Sequence, residues 1–177
     1  MAPRLIVTLA KSFHGRTLAT LAATAQPAKQ EAFQPLPGGF PATPINDVEA
    51  LERLFETQGD RICAVMIECI QGESGVHPCT EEFVCAIRRL TEEHGALMIC
   101  DEVQSGIFRT GLPYGFQNLG VLPDIVTMAK GIASGIVAGA CAAKSSIAAA
   151  FAPGDHGTTF GGSNIAMAAA HVTLSTL

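Results

Sequence analysis

The chain has 177 residues, 48% hydrophobic and 15% charged, with a formal net charge of −5. That length and apolar content allow one domain with a real core and exclude a disordered chain. The 11 basic residues form no run, which excludes a phosphate-backbone binder, and no apolar stretch reaches the length of a membrane helix.

Arg4–Leu9 reads as a buried strand, and the apolar start Met1–Lys11 is too short and too β-branched for a signal peptide. Thr17–Thr24 is predicted helical. Gln26–Pro44, rich in Pro and Gly, is predicted as an extended loop. Asn46 is expected to cap a helix, with Glu49 closing a capping box and Val48, Leu51, Leu54 and Phe55 on one face. Ile62–Ile67 reads as a strand. Thr80 caps a second helix that turns Phe83, Ile87 and Leu90 inward and stops at Gly95. Leu97–Cys100 is a short apolar strand ending in Asp101, and Ile125–Met128 is another, ending near Lys130. Ala138–Ala143 is predicted as a further strand, Ser145–Phe151 as a helix, and Ile165–Leu177 as an amphipathic helix.

Strands alternating with helices imply an α/β fold with a mostly parallel sheet. Side chains with chemistry collect at the carboxyl ends of such strands. Glu68, Asp101 and Lys130 each follow an apolar strand closely. A lysine there, beside a buried acid, can form a Schiff base with an aldehyde cofactor. Once displaced by substrate it is a free amine, placed to act as a general base. The bland reading of the same residues is a helix-capping Asp and a solvated Lys.

The cysteines are Cys63, Cys69, Cys79, Cys85, Cys100 and Cys141, without CxxC spacing. Buried free thiols in a reducing cytoplasm are expected, rather than disulfides or a metal site. Neither a G-x-S-x-G elbow nor a Walker A or G-x-G-x-x-G pattern is present, so hydrolase and nucleotide-binding readings have no support.

The flanking residues narrow the choice. Ser12-Phe13-His14-Gly15-Arg16-Thr17, Glu68-Cys69-Ile70-Gln71-Gly72-Glu73, Asp101-Glu102-Val103-Gln104-Ser105-Gly106, Met128-Ala129-Lys130-Gly131 and His156-Gly157-Thr158-Thr159-Phe160-Gly161-Gly162 occur in that order. Together they resemble the class III aminotransferases, over essentially the whole chain. The resemblance implies the type I fold of enzymes that use pyridoxal 5'-phosphate. The chain would be the central part (1–177) of the cofactor-binding large domain. A phosphate-binding Gly-Thr loop and a C-terminal small domain would lie in other parts of the family's sequence.

The resemblance also implies roles. Lys130 would hold the cofactor and act as the catalytic amine. Asp101 would pair with the pyridine nitrogen, and Val103 and Phe13 would cover the two ring faces. Gln104 would reach the phenolic oxygen, and Arg16 the substrate α-carboxylate. Glu73 would lie on the substrate side. Thr159 would bind the cofactor phosphate of a neighbouring subunit, which makes a homodimer the expected assembly. His14 and His156 read as structural or supporting; His77, His94 and His171 as ordinary. The Phe13–Arg16 and Leu21–Thr24 stretches favour the acetylornithine-type branch. That implies amino transfer from N-acetylornithine to 2-oxoglutarate, in arginine biosynthesis, in the cytoplasm. The alternatives are ornithine or 4-aminobutyrate as donor, or a non-catalytic chain that keeps the fold. Cys69, Val137 and the Ser163-Asn164 pair depart from the family, which usually has proline or Asn-Pro there.

Overall fold

The computed structural model describes residues 4–177, so Met1–Pro3 of the apolar start lie outside the described residues. The strands are β1 Leu5–Leu9, β2 Ala42–Thr43, β3 Ile62–Ile67, β4 Ile70–Gln71, β5 His77–Pro78, β6 Leu97–Asp101, β7 Ile125–Met128 and β8 Ala140–Ala143. The α-helices are α1 Leu18–Ala23, α2 Pro27–Gln30, α3 Val48–Gln58, α4 Glu81–Glu93, α5 Ser145–Ala148 and α6 Asn164–Thr176.

Six strands form one sheet in the order β2-β1-β3-β6-β7-β8. Every neighbouring pair is parallel except β7 and β8, where Ile125 faces Ala143 and Met128 faces Ala140. The predicted mostly parallel α/β sheet is the fold observed. Parallel neighbours need crossovers, and α3 and α4 supply them for β3 and β6. Val65, Ile67, Met98 and Cys100 of the central strands are buried, with Leu51 and Phe55 of α3 and Phe83, Val84 and Ile87 of α4 packed into the same core. Such strands read as continuous apolar runs because both faces are covered.

Several expectations need correcting. The cap of α3 is Asp47, whose carboxylate accepts from Ala50 N at 2.8 Å. Asn46 takes a left-handed conformation (φ 61°) and bridges to the start of α4: its Oδ1 accepts from Thr80 N at 2.8 Å and its Nδ2 donates to Pro78 O. Its side chain is committed to a distant segment, so the cap falls to the next residue. Thr80 caps α4 as predicted, accepting from Phe83 N at 3.3 Å, and Gly95 follows the helix with φ 64°.

The 26–44 loop contains α2, a 3-10 turn at Glu31–Phe33 and the edge strand β2, paired to β1 at Thr8 and Leu9. The strand beginning at Ala138 is shorter, Ala140–Ala143, and the helix from Ser145 stops at Ala148. Helix α6 is not amphipathic. Ala166, Ala170 and Thr173 are buried, while Ile165, Met167, Val172 and Leu174 are exposed, so both faces are apolar. All six cysteines are free, as expected, but only Cys69, Cys79 and Cys100 are buried; Cys85 and Cys141 are exposed. Among the described residues no helix is long and apolar enough to cross a membrane, and no cluster of ligands could hold a metal ion.

Candidate active site

The four central strands, in the order β1-β3-β6-β7, all run the same way, so their carboxyl ends share one edge of the sheet. Phe13 and His14 lie in the loop after β1. Glu68 follows β3 directly, Asp101 closes β6, and Lys130 stands two residues beyond β7. The structure brings these together around a cavity of ≈ 110 Å³, with Val103 and Gln104 also in its wall. Val103, Gln104 and Lys130 line a second, more open cavity of ≈ 530 Å³ as well, so the two spaces meet at those residues.

Asp101 is 6% exposed and heavily solvated by protein groups. Its Oδ2 lies 2.8 Å from His14 Nδ1, and its Oδ1 accepts from Val103 N (3.1 Å) and from Thr127 Oγ1 (3.2 Å). His14 was read from sequence as structural or supporting. It is in fact a wall of the cavity, anchored through its own N–H to Thr24 Oγ1 at 2.9 Å, with Nε2 buried and without a partner. The spacing of residues 14 and 101 carries no signal for that pairing. The parallel alignment of β1 and β6 across β3 creates it.

Glu68 is 3% exposed and accepts from Phe13 N at 2.9 Å through Oε2. Burial pushes its carboxyl above the ordinary range, partly offset by the Phe13 N–H and the charges of His14 and Lys130. Its place after a strand was legible in the sequence; its role was not.

Lys130 opens a 3-10 turn, Lys130–Ala133, with a left-handed backbone (φ 47°). Such a conformation costs a non-glycine residue about 1 kcal/mol and is held by its surroundings. Gln104 depends on the absence of a side chain at Gly72, where a Cβ would stand 2.6 Å from Gln104 Oε1. The segment carrying Gln104 is stapled by Glu102, a residue that sequence reasoning passed over. Glu102 is 1% exposed and accepts from Ser105 Oγ (2.7 Å), Gly115 N (2.9 Å) and Phe116 N (2.9 Å).

The remaining predicted residues lie further out. Arg16 is exposed, its guanidinium 5.6 Å from the centre of the Phe13 ring. Glu73 lines neither cavity. Lys29 pairs with it at 2.8 Å and Gln26 Nε2 donates to it at 2.8 Å, and these two bonds, Lys29 first, hold its carboxyl below the ordinary range. Lys29 in turn lies 6.0 Å from the Phe13 ring, so Glu73 sits in the polar rim around that aromatic. Thr159 is on an exposed stretch and lines neither cavity.

An amine, a buried carboxylate, an amide and an aromatic face around one small cavity suit a flat heteroaromatic aldehyde that gains from a protonated ring nitrogen. The cavity wall offers no cluster of N–H donors at a helix N-terminus for a phosphate. The residues fit the ring portion of such a cofactor.

Comparison with known proteins leads to the same chemistry. The profile of the Aminotransferase class-III family matches residues 3–177. The acetylornithine aminotransferases of Caldanaerobacter subterraneus subsp. tengcongensis and Bacillus subtilis are each 48% identical to this chain over 96% of its length. The chain spans 42% and 43% of those relatives. Among solved structures, an (S)-enantioselective omega-transaminase from Thermomicrobium roseum superposes with a TM-score of 0.90 at 34% identity, covering 98% of this chain and 44% of that one. The ornithine aminotransferase of Toxoplasma gondii gives 0.91 at 28% identity, covering 98% and 41%. Another structure of that enzyme holds its cofactor, pyridoxal phosphate, at partial occupancy in the active site.

Proposed function

Because the chain belongs to the class III aminotransferases, whose cofactor is pyridoxal phosphate, we propose that it carries the central active-site residues of an acetylornithine-type aminotransferase. In this reading N-acetylornithine gives its amino group to 2-oxoglutarate, a step of arginine biosynthesis. The convergence of Lys130, Asp101, Gln104 and Phe13 on one cavity supports the cofactor reading. The acetylornithine donor rests on the named relatives, with ornithine and 4-aminobutyrate as the alternatives. In this reading residues 1–177 are the central part of a cofactor-binding large domain.

Pyridoxal phosphate, when bound, supplies an electron sink that stabilises negative charge on the substrate carbon bearing the transferred amino group, the δ-carbon of N-acetylornithine. Lys130 Nζ would be the attachment point and, when free, would serve as the base that takes and returns the proton at that carbon. Asp101, oriented by Val103 N, Thr127 Oγ1 and His14 Nδ1, would pair with the ring nitrogen and favour a proton there. Phe13 and Val103 would cover the ring and keep water off it, and Gln104 would donate to its phenolic oxygen. Arg16 is exposed at the rim and suits a bidentate grip on the substrate α-carboxylate. Glu73, in that same rim, would lie on the substrate side. Thr159, which lines neither cavity, would serve the phosphate of the neighbouring subunit in a homodimer. The free thiols Cys69, Cys79 and Cys100 suit a reducing compartment such as the cytoplasm.

The test is attachment. Incubated with pyridoxal phosphate and then borohydride, the protein is expected to gain one stable adduct, mapped by mass spectrometry to Lys130, and Lys130→Ala to gain none. An adduct that persists at another lysine in that variant overturns the assignment. The second reading is a chain that keeps the fold without turnover. Stoichiometric adduct formation without amino transfer from N-acetylornithine would establish it.

A further inference from the structure

Two carboxyl groups share the small cavity, and they are solvated unequally. Asp101 has two donors on Oδ1, and its Oδ2 lies within hydrogen-bond distance of His14 Nδ1, a donor when that nitrogen carries the proton. Glu68 has one, the Phe13 N–H on Oε2, and its Oε1 bonds to no described residue. Both are buried, at 3% and 6% exposed, in a space of ≈ 110 Å³. Two anions so confined repel, and a proton relieves the repulsion. It goes to the carboxyl that gains least from being charged, because hydrogen-bond donors stabilise an anion and not its acid.

We propose that Glu68 is the protonated partner of the Asp101 carboxylate, and that its Oε1 presents an O–H donor to the cavity it shares with Lys130. The other groups facing it are His14, Cys79 and Lys130. His14, from the β1 loop, is committed to Asp101 through Nδ1. Cys79, from the turn before α4, donates its thiol to the Glu68 backbone carbonyl at 3.4 Å, and its pKa is pushed up to about 12, mainly by burial, so it adds no charge. Lys130, after β7, acts against protonation of Glu68 through its charge, as His14 does. Burial is the larger influence and raises the Glu68 pKa.

The consequence rests on the aminotransferase reading. Amino and oxo acid substrates bring carboxylates to this edge of the sheet. A second fixed anion beside Asp101 would repel them and would stabilise Lys130 in its charged form, which is useless as a base. A neutral Glu68 avoids both effects and offers a donor to a ligand oxygen. Glu68 is then a positioning residue that sets the charge of the site.

Infrared spectroscopy tests the proton directly and without cofactor. At neutral pH the protein should show the C=O stretch of a protonated carboxyl group, shifted by isotope-labelled glutamate and absent from Glu68→Gln. Its absence from the wild-type protein overturns the proposal, and that measurement needs no variant to fold. A second readout is pyridoxal phosphate affinity against pH. Ionisation of Glu68 should weaken wild-type loading by about tenfold as pH rises through its titration, and Glu68→Gln should lack that step. A step of equal size in both proteins refutes a role for Glu68. Failure of both proteins to load at all would refute the aminotransferase reading instead, while the infrared band would still decide the state of Glu68.

Discussion

The sheet centre and the segment beyond residue 133 are made of similar residues and are held very differently. In the first, Leu51, Phe55, Phe83, Ile87 and Met98 are at most 2% exposed. In the second, Val137 is 96% exposed, Phe160 84%, Ile165 73% and Phe151 70%, and no residue of β8 is buried. What packing exists there is local: Ala170 joins Met128, Ile132 and Ala133, and Ser134 Oγ meets Thr173 Oγ1 at 2.8 Å. Hydrophobic composition therefore does not make a core. A side chain contributes when neighbours exclude water from all its faces, and β8 and α6 have neighbours on one side only. Apolar exposure on this scale marks surface suited to burial against protein.

The contrast can be broken most sharply by truncating one phenylalanine from each region. Phe83→Ala should cost about 4 kcal/mol of unfolding free energy, from lost transfer energy and the cavity left behind. Phe160→Ala should change stability by less than about 0.5 kcal/mol. Denaturant titration of both variants checks the pair, and equal costs would mean that the 134–177 segment is packed as tightly as the core.

The two regions are tied by Asp124, and loosening that tie is the next largest effect. Asp124 accepts from Lys144 Nζ (2.8 Å), from Arg88 Nη1 (2.9 Å) and from Met98 N (2.8 Å), joining the end of β8 to α4 and β6. Burial alone would raise its pKa, but those three hydrogen bonds together hold it below the ordinary 3.8. A carboxyl with a depressed folded-state pKa stabilises the protein above its unfolded pKa, and the effect fades as pH falls through the folded value. Asp124→Asn should cost about 2 kcal/mol at neutral pH, discounted from the buried-pair range because Lys144 is 41% exposed. The gap from wild type should close below about pH 4. A gap that is constant across pH would mean the charge of Asp124 contributes nothing.

The smallest effect sharpens the comparison inside the core region. Asp47→Ala should cost about 1 kcal/mol by removing the cap of α3, whereas Asn46→Ala should leave the helical circular dichroism of α3 unaltered and loosen its tie to Thr80. Hydrogen exchange at Ala50 and Thr80 separates the two outcomes.

Much of the fold was legible because local rules and tertiary packing agree in the sheet centre. The apolar runs at Ile62–Ile67, Leu97–Cys100 and Ile125–Met128 are strands within a residue or so of their predicted bounds, and Thr80 caps α4 as its side chain dictates. Agreement failed where a side chain was claimed from far away. Asn46 has the chemistry of a cap, but Thr80 and Pro78 take its hydrogen bonds. The Gln26–Pro44 stretch reads as loop because its short strand exists only by pairing with β1. Helix α6 seemed amphipathic because alanine suits either side of such a pattern, and only the exposed Ile165, Met167 and Val172 settle the matter.

By itself the sequence determined the strands, the crossover helices and the placement of Glu68, Asp101 and Lys130 at strand ends, since an apolar run stops where chemistry begins. The motifs around them carried the family. Only the tertiary structure decided which of those residues share a cavity, that His14 meets Asp101, and that Glu68 is left with a single donor. Those contacts join residues on three separate strands, and nothing in one-dimensional spacing records the order in which parallel strands lie side by side.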